Sequence, residues 1–181
     1  MRACVFCGGS VGRRPEYAAA ARLLGAELSR HRIGLVYGGS HLGLMGVLAD
    51  SVLSVGGQVT GVIPAELVHR EVAHRHLPEL CVVDGLAARK HRMAQLADMF
   101  IAMPGGAGTL NELSEMWTLA KLGMHRKPCG LLNTAGYYDP LIGFVRVAAA
   151  EGFISPEHGD LLVVAEQPDD MVRLLMARIA A

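Results

Sequence analysis

Met99–Lys121 reads MFIAMPGGAGTLNELSEMWTLAK, and its order of apolar run, glycine turn and helical pattern decides the fold. MFIAM is apolar without alternation, as in a parallel strand covered on both faces. Pro-Gly-Gly-Ala-Gly then forms a tight turn, and Thr109–Lys121 follows with helical spacing. Strand, glycine turn, helix is the repeating unit of a doubly wound sheet.

The same grammar recurs along the chain. Strands are expected at Ala3–Cys7, Ile33–Tyr37, Gln58–Ile63, Leu80–Val83, Met99–Met103, Cys129–Leu132 and Leu161–Val164. Helical patterns lie between them at Pro15–His31, Leu42–Val55, Leu86–Ala97, Thr109–Lys121, Asp139–Glu151 and Pro168–Ala180. Strict alternation predicts a single-domain α/β fold over residues 1–181: a Rossmann-like doubly wound, mainly parallel sheet with helices on both faces. No linker, repeat or low-complexity tract interrupts it.

Composition narrows the partners. The 181 residues are 51% hydrophobic, and 17 basic residues balance 17 acidic ones. Without a cationic excess, general binding to nucleic acid or to an anionic membrane is disfavoured. No apolar run approaches the roughly 20 residues that span a bilayer. MRACVFCGGS enters a strand directly, so a cytoplasmic protein is expected. Cys4-x-x-Cys7 has redox or zinc spelling, but in a strand those side chains point to opposite faces, and a second CxxC is lacking. His69, His74 and His76 match no usual metal spacing and read as a solvated, partly helical segment.

Three glycine-rich turns fall where strands give way to helices: CGGS (Cys7–Ser10), YGGSHLGLMG (Tyr37–Gly46) and PGGAGT (Pro104–Thr109). In doubly wound sheets that edge holds the ligand. Backbone N–H groups of Gly8, Gly9, Ser10, Gly38, Gly39, Gly105, Gly106 and Gly108 are therefore candidates to cradle a phosphate. GGAGT lacks the Lys-Ser/Thr of a Walker A loop, which excludes that type of ATPase. Full G-x-G-x-x-G spacing is missing, as is a ribose-binding acid after the second strand, which disfavours a nicotinamide dehydrogenase.

Thr109-x-x-Glu112 spells a capping box, which would occupy both side chains at the helix start. The box nevertheless opens from a glycine loop at the ligand edge, where a carboxylate meets whatever the loop binds; Glu115 lies one turn further on. Arg89-Lys90 stand near the start of another helix, where cations are unfavourable unless an anion is near. Arg89 offers a planar fork for phosphate or a purine edge. Glu71, in HREVAH, is an acid upstream of them.

PGGAGTLNE resembles the PGGxGTxxE signature of the LOG family, the cytokinin riboside 5′-monophosphate phosphoribohydrolases, whose members are often labelled lysine decarboxylases. The similarity extends through CVFCGGS, VYGGSHLGLMG, the Arg89-Lys90 pair with its following methionine, and GLLNTAGYYDPLIGFV. The resemblance implies that Arg89 and Glu112 are the catalytic pair. It also implies that Glu71, Lys90, Gly106, Gly108, Thr109 and Thr118 help hold a nucleotide. Two positions depart from the pattern: Leu86-Ala87-Ala88 replace the usual Met-His before Arg-Lys, and Asn111 stands where a further Glu is common.

The implied reaction cleaves the N-glycosidic bond of an adenosine 5′-monophosphate, plain or modified, giving free base and ribose 5-phosphate. It needs no metal and no cofactor. A pyridoxal-dependent lysine decarboxylase is disfavoured: Lys127 reads as loop, Lys121 as the end of a helix, and Lys90 adjoins the Arg89 that the nucleotide reading already uses. The alternative of another class is a non-catalytic nucleotide or molybdenum-cofactor carrier of similar fold. Met, Leu and Trp117 in Leu86–Ala97 and Thr109–Lys121, together with the resemblance, suggest a homodimer that packs on these helices and completes the sites.

Overall fold

A computed structural model describes residues 1–69 and 72–180. Among the described residues, seven strands form one parallel sheet: β1 Arg2–Phe6, β2 Gly34–Tyr37, β3 Val59–Pro64, β4 Glu79–Val83, β5 Met99–Ala102, β6 Cys129–Leu132 and β7 Leu162–Ala165. Their order is β4-β3-β2-β1-β5-β6-β7. The chain thus winds outward from β1 to one edge, then returns to β5 and winds to the other. In register, Val5 of β1 is flanked by Tyr37 of β2 and Ile101 of β5.

The helices are α1 Pro15–Arg30, α2 Gly43–Ser54, α3 Ala65–His69, α4 Gly85–Leu96, α5 Ala107–Lys121, α6 Asp139–Ala150, α7 Pro156–Gly159 and α8 Pro168–Ala180, with one 3₁₀ turn at Thr134–Gly136. Every expected strand and long helix is present, with ends shifted by a residue or two. The short α3 and α7 escaped the sequence reading, because one turn carries too few residues for a helical period to show.

Two apolar layers explain the strand composition. On one face, Val5, Leu35 and Ile101 pack with Ala21, Leu24, Leu48 and Val52 of α1 and α2 and with Leu175 of α8. On the other, Cys4, Val36, Val62 and Phe100 pack with Met93 of α4 and Met116 of α5. β2, β5 and β6 are buried throughout, which accounts for their unbroken apolar spelling. Cys4 and Cys7 belong to opposite layers, as the strand period requires. Helix α1 shows the complementary pattern: Pro15 opens it, and Ala20, Leu24 and Leu28 form its buried stripe.

The histidine segment meets expectation in part: α3 ends at His69 and His76 is exposed, but the rest differs. Residues 72–76 are not helical; Ala73 bridges Ser40 in antiparallel fashion, and His74 is buried. Tertiary hydrogen bonds compensate the polar ring, so its chemistry did not signal exposure.

Candidate active site

Beyond the carboxyl ends of β1 and β5 the winding direction reverses, leaving a crevice of the kind that binds ligands in such sheets. Here the loops pack backbone against backbone. Gly8 N–H donates to the Pro104 carbonyl at 3.0 Å, and Leu44 N–H donates to the Gly8 carbonyl at 3.0 Å. Gly43 adopts φ +59°, and a Cβ there would run into the backbone of Gly9 and Ser10. Tyr138 is buried and donates its hydroxyl to the Met103 carbonyl at 2.6 Å, clamping the loop after β6 onto the start of PGGAGT.

Two cavities meet at these loops, with Gly8, Gly9 and Gly106 lining both. One, of about 240 Å³, is bounded by Gly38, Met45, Arg89, Met93, Gly108, Thr109 and Glu112. Its neighbour, of about 490 Å³, is bounded by Ser10, Gly12, Tyr17, Gly105 and Tyr137. Together they offer a charged end beside a cradle of backbone.

The helix start differs from the capping-box expectation. Helix α5 begins at Ala107, its N-cap is Gly106, and no side chain caps it. Thr109 therefore lies inside the first turn, and Glu112 almost a turn deeper. The opening N–H groups of a helix have no intrahelical acceptor, and those of α5 open onto the smaller cavity beside Gly106, Gly108 and Thr109. An anion is the natural partner for that end.

Glu112 projects into the same space. Burial raises its carboxyl above the ordinary value; Arg89 and then Lys90 act in the opposite sense, while Glu115 adds to the rise. Arg89 is fixed by its Nε donating to the Val62 carbonyl and its Nη2 to the Gly38 carbonyl, each at 3.1 Å. These bonds use part of its five-donor fork and leave the rest for a ligand. Gly38 is glycine for a local reason: a Cβ would overlap Arg89 Nη2.

The remaining expected residues fall in different places. Gly8, Gly9, Ser10, Gly105, Gly106, Gly108 and Thr109 line the cavities with Gly38, Arg89 and Glu112. Gly39 stands behind the wall, at φ +71°, packed on Ile63 and Leu80. Lys90 points across to α5, where its ammonium meets Asn111 at 2.9 Å and also Glu115. Lys90 lines neither cavity. Thr118 is exposed and borders neither cavity. Glu71 lies outside the described residues.

Met45, Met93, Tyr17 and Tyr137 are among the lining residues that were not anticipated. Met93 follows Arg89 by one helical turn, and Met45 belongs to the GLMG turn, so helical spacing and loop membership could have flagged both. Tyr17 and Tyr137 meet edge to face at 5.6 Å, and the Tyr137 hydroxyl donates to the Gly105 carbonyl. The TAGYYDP spelling hints at a turn, but only the fold brings it to the glycine cradle.

A parallel sheet with its switch point at glycine turns, a helix start open to an anion and a half-buried acid near an arginine defines a nucleotide-site α/β protein. Residues 45–175 match the family model described as possible lysine decarboxylase. The chain is 49% identical over 174 residues to cytokinin riboside 5′-monophosphate phosphoribohydrolase LOG7 of Arabidopsis thaliana, covering 96% of this chain and 80% of that protein. It is 46% identical over 171 residues to the rice (Oryza sativa subsp. japonica) enzyme LOG, covering 94% and 71%. The chain belongs to this LOG family. In fold it is also similar to the molybdenum cofactor binding protein of Rippkaea orientalis, with TM-score 0.75, 20% identity and coverage of 98% and 97%. The molybdenum cofactor carrier protein of Chlamydomonas reinhardtii gives TM-score 0.75 at 22% identity, with coverage of 99% and 98%.

Proposed function

We propose that this chain hydrolyses the N-glycosidic bond of adenosine 5′-monophosphates, plain or modified as in cytokinin riboside 5′-monophosphates. Water adds to C1′ of the ribose, the C1′–N9 bond breaks, and the departing base takes up a proton; the products are free base and ribose 5-phosphate. The transition state carries positive charge on the sugar ring and negative charge on the base, as in glycoside hydrolysis. The observation that carries the proposal is Glu112, a half-buried carboxylate at the wall of a cavity whose other end is a glycine-lined helix start.

Each group then has a task. N–H groups of the PGGAGT turn and of Gly9 and Ser10 hold the 5′-phosphate, whereas the Gly8 N–H is already given to the Pro104 carbonyl; the phosphate does not react, so its binding energy serves the reacting centre. Glu112 stabilises the cationic sugar, orients the ribose hydroxyls or activates water. Arg89, pinned by two carbonyls, turns its free N–H groups toward the departing base or the phosphate. Glu71 and Lys90 belong to the nucleotide site on family resemblance.

A homodimer in the cytoplasm is the proposed setting. Val82, Leu86 and Leu110 are exposed on β4, α4 and α5, an apolar surface that a second copy would cover. Thr118 lies on α5 about 9 Å along the axis from Glu112, at 1.5 Å per residue; its expected part in holding the nucleotide belongs, on the dimer reading, to a neighbouring copy's site.

The carrier alternative is favoured only by the fold likeness, at about 20% identity. A carrier needs no carboxylate aimed at a sugar. The discriminating experiment is a panel of AMP, isopentenyladenosine monophosphate, adenosine and ATP, followed by chromatography of free base. Release from the monophosphates, with little from adenosine or ATP, is expected. A nucleotide that stays bound and intact across the panel would support the carrier.

A further inference from the structure

His74 and Asp50 lie outside both cavities at the crevice, yet hydrogen bonds joined through the backbone of Gly38 and Gly39 connect them to Arg89. His74 is 5% exposed and approaches Asp50 Oδ1 with its Nε2 at 3.0 Å. Its other ring nitrogen, Nδ1, accepts from the His76 backbone N–H at 3.3 Å. With Nδ1 facing the His76 N–H, Nε2 is the ring nitrogen that donates to Asp50. Both nitrogens are satisfied in a place where an unsatisfied ring would be costly.

The ring ties residues 74–76 to Asp50 on α2, and the backbone of residues 72–74 meets the second glycine turn. His74 N–H donates to the Gly39 carbonyl at 2.8 Å, His41 N–H donates to the Val72 carbonyl at 3.1 Å, and Ala73 bridges Ser40. The residue before Gly39 is Gly38, whose carbonyl takes the Arg89 Nη2 hydrogen at 3.1 Å. Asp50 on α2, His74, the turn and Arg89 on α4 thus form one chain of contacts across three elements.

We propose that His74, oriented by Asp50, is a positioning residue for Arg89. It holds the Gly38–Ser40 turn in the conformation whose carbonyl aims the guanidinium into the cavity. The proposal rests on the phosphoribohydrolase reading above. His74 itself touches no substrate.

The test is a double-mutant cycle on AMP hydrolysis with the full chain. His74→Phe fills the buried volume without donor or acceptor and is expected to lower kcat/KM roughly tenfold, within the range of coupling inside one hydrogen-bond network. In an Arg89→Ala background the same change is expected to cost nothing further, because the group it positions is gone. Equal losses in both backgrounds would overturn the proposal, since they would mark a general packing defect. If His74→Phe does not fold, Asp50→Ala takes its place in the cycle, because the Asp50 side chain is 72% exposed and its loss leaves the core intact. Asp50→Asn keeps an acceptor oxygen for the ring Nε2 and is expected to recover most of what Asp50→Ala loses. Full turnover in Asp50→Ala, or no recovery in Asp50→Asn, would contradict the mechanism. Should the wild-type chain release no base, the enzymatic reading fails by itself. The same cycle, read as AMP affinity by calorimetry, then decides the positioning role: loss only with Arg89 present supports it, and loss independent of Arg89 refutes it.

Discussion

Burial sets the chemistry of Glu112. Its carboxyl is raised chiefly by desolvation, against the pull of Arg89, so the folded protein favours the protonated form more than the unfolded chain does. Stability linked to this group is therefore present at low pH and is lost as pH rises from the ordinary carboxylate range through the raised value. Glu112→Gln removes the ionising group. At neutral pH the variant is expected to melt at or above the wild-type temperature while losing about 10²–10³-fold in turnover, the usual cost of deleting a preorganised charge at a reacting centre. A melting temperature well below wild type would assign Glu112 a structural role instead. If the carboxylate form does the work, kcat/KM for AMP climbs with pH through an apparent pKa above the ordinary carboxylate range, and that acidic limb disappears in Glu112→Gln. A rate that falls through this window would make Glu112 a proton donor. The sequence placed Glu112 at the ligand edge but also allowed a capping role. The choice depended on where α5 begins, and Gly106, with no side chain, is the N-cap.

Elements owe their positions to a few glycines with distinct jobs. Gly43 combines φ +59° with direct approach to Gly9 and Ser10, so Gly43→Ala is expected to cost more than about 1 kcal/mol in urea unfolding. Gly38 has no such backbone demand; an added methyl meets the movable tip of Arg89 and, at 3.0 Å, the sulfur of the flexible Met45 side chain. Gly38→Ala is therefore expected to leave the urea midpoint near wild type and to lower AMP turnover by about tenfold or more through displacement of the guanidinium. Reversal of the two outcomes would show that Arg89 is not held as described. The strands and long helices were legible because unbroken apolar runs and helical stripes are local signals. Residues 72–76 were not, because the burial of His74 depends on Asp50, 24 residues away in the chain. The inward turn of Lys90 was hidden for the same reason: its partners Asn111 and Glu115 lie on the next helix.

At the scale of the whole molecule, strand order places the site. Gly8 follows β1 and Gly105 follows β5, and these neighbouring strands are where the winding reverses. The sequence showed three glycine turns at one edge; only the strand order shows that two of them share the switch point. Exposed Leu86 sits on the apolar surface proposed to pair two copies. Leu86→Asp is expected to shift the chain to monomers in sedimentation and to lower turnover, while Phe153→Asp, at an exposed residue beyond α6, leaves both unchanged. Monomeric wild-type protein with full activity would refute the shared site. The central claim is that Glu112 serves scission of the base from ribose 5-phosphate. Its most direct test is a quenched time course of wild type and Glu112→Gln with AMP, counting adenine and ribose 5-phosphate. Equal amounts of both products from wild type, with almost none from the variant, are predicted; equal product formation by the two proteins would contradict the account.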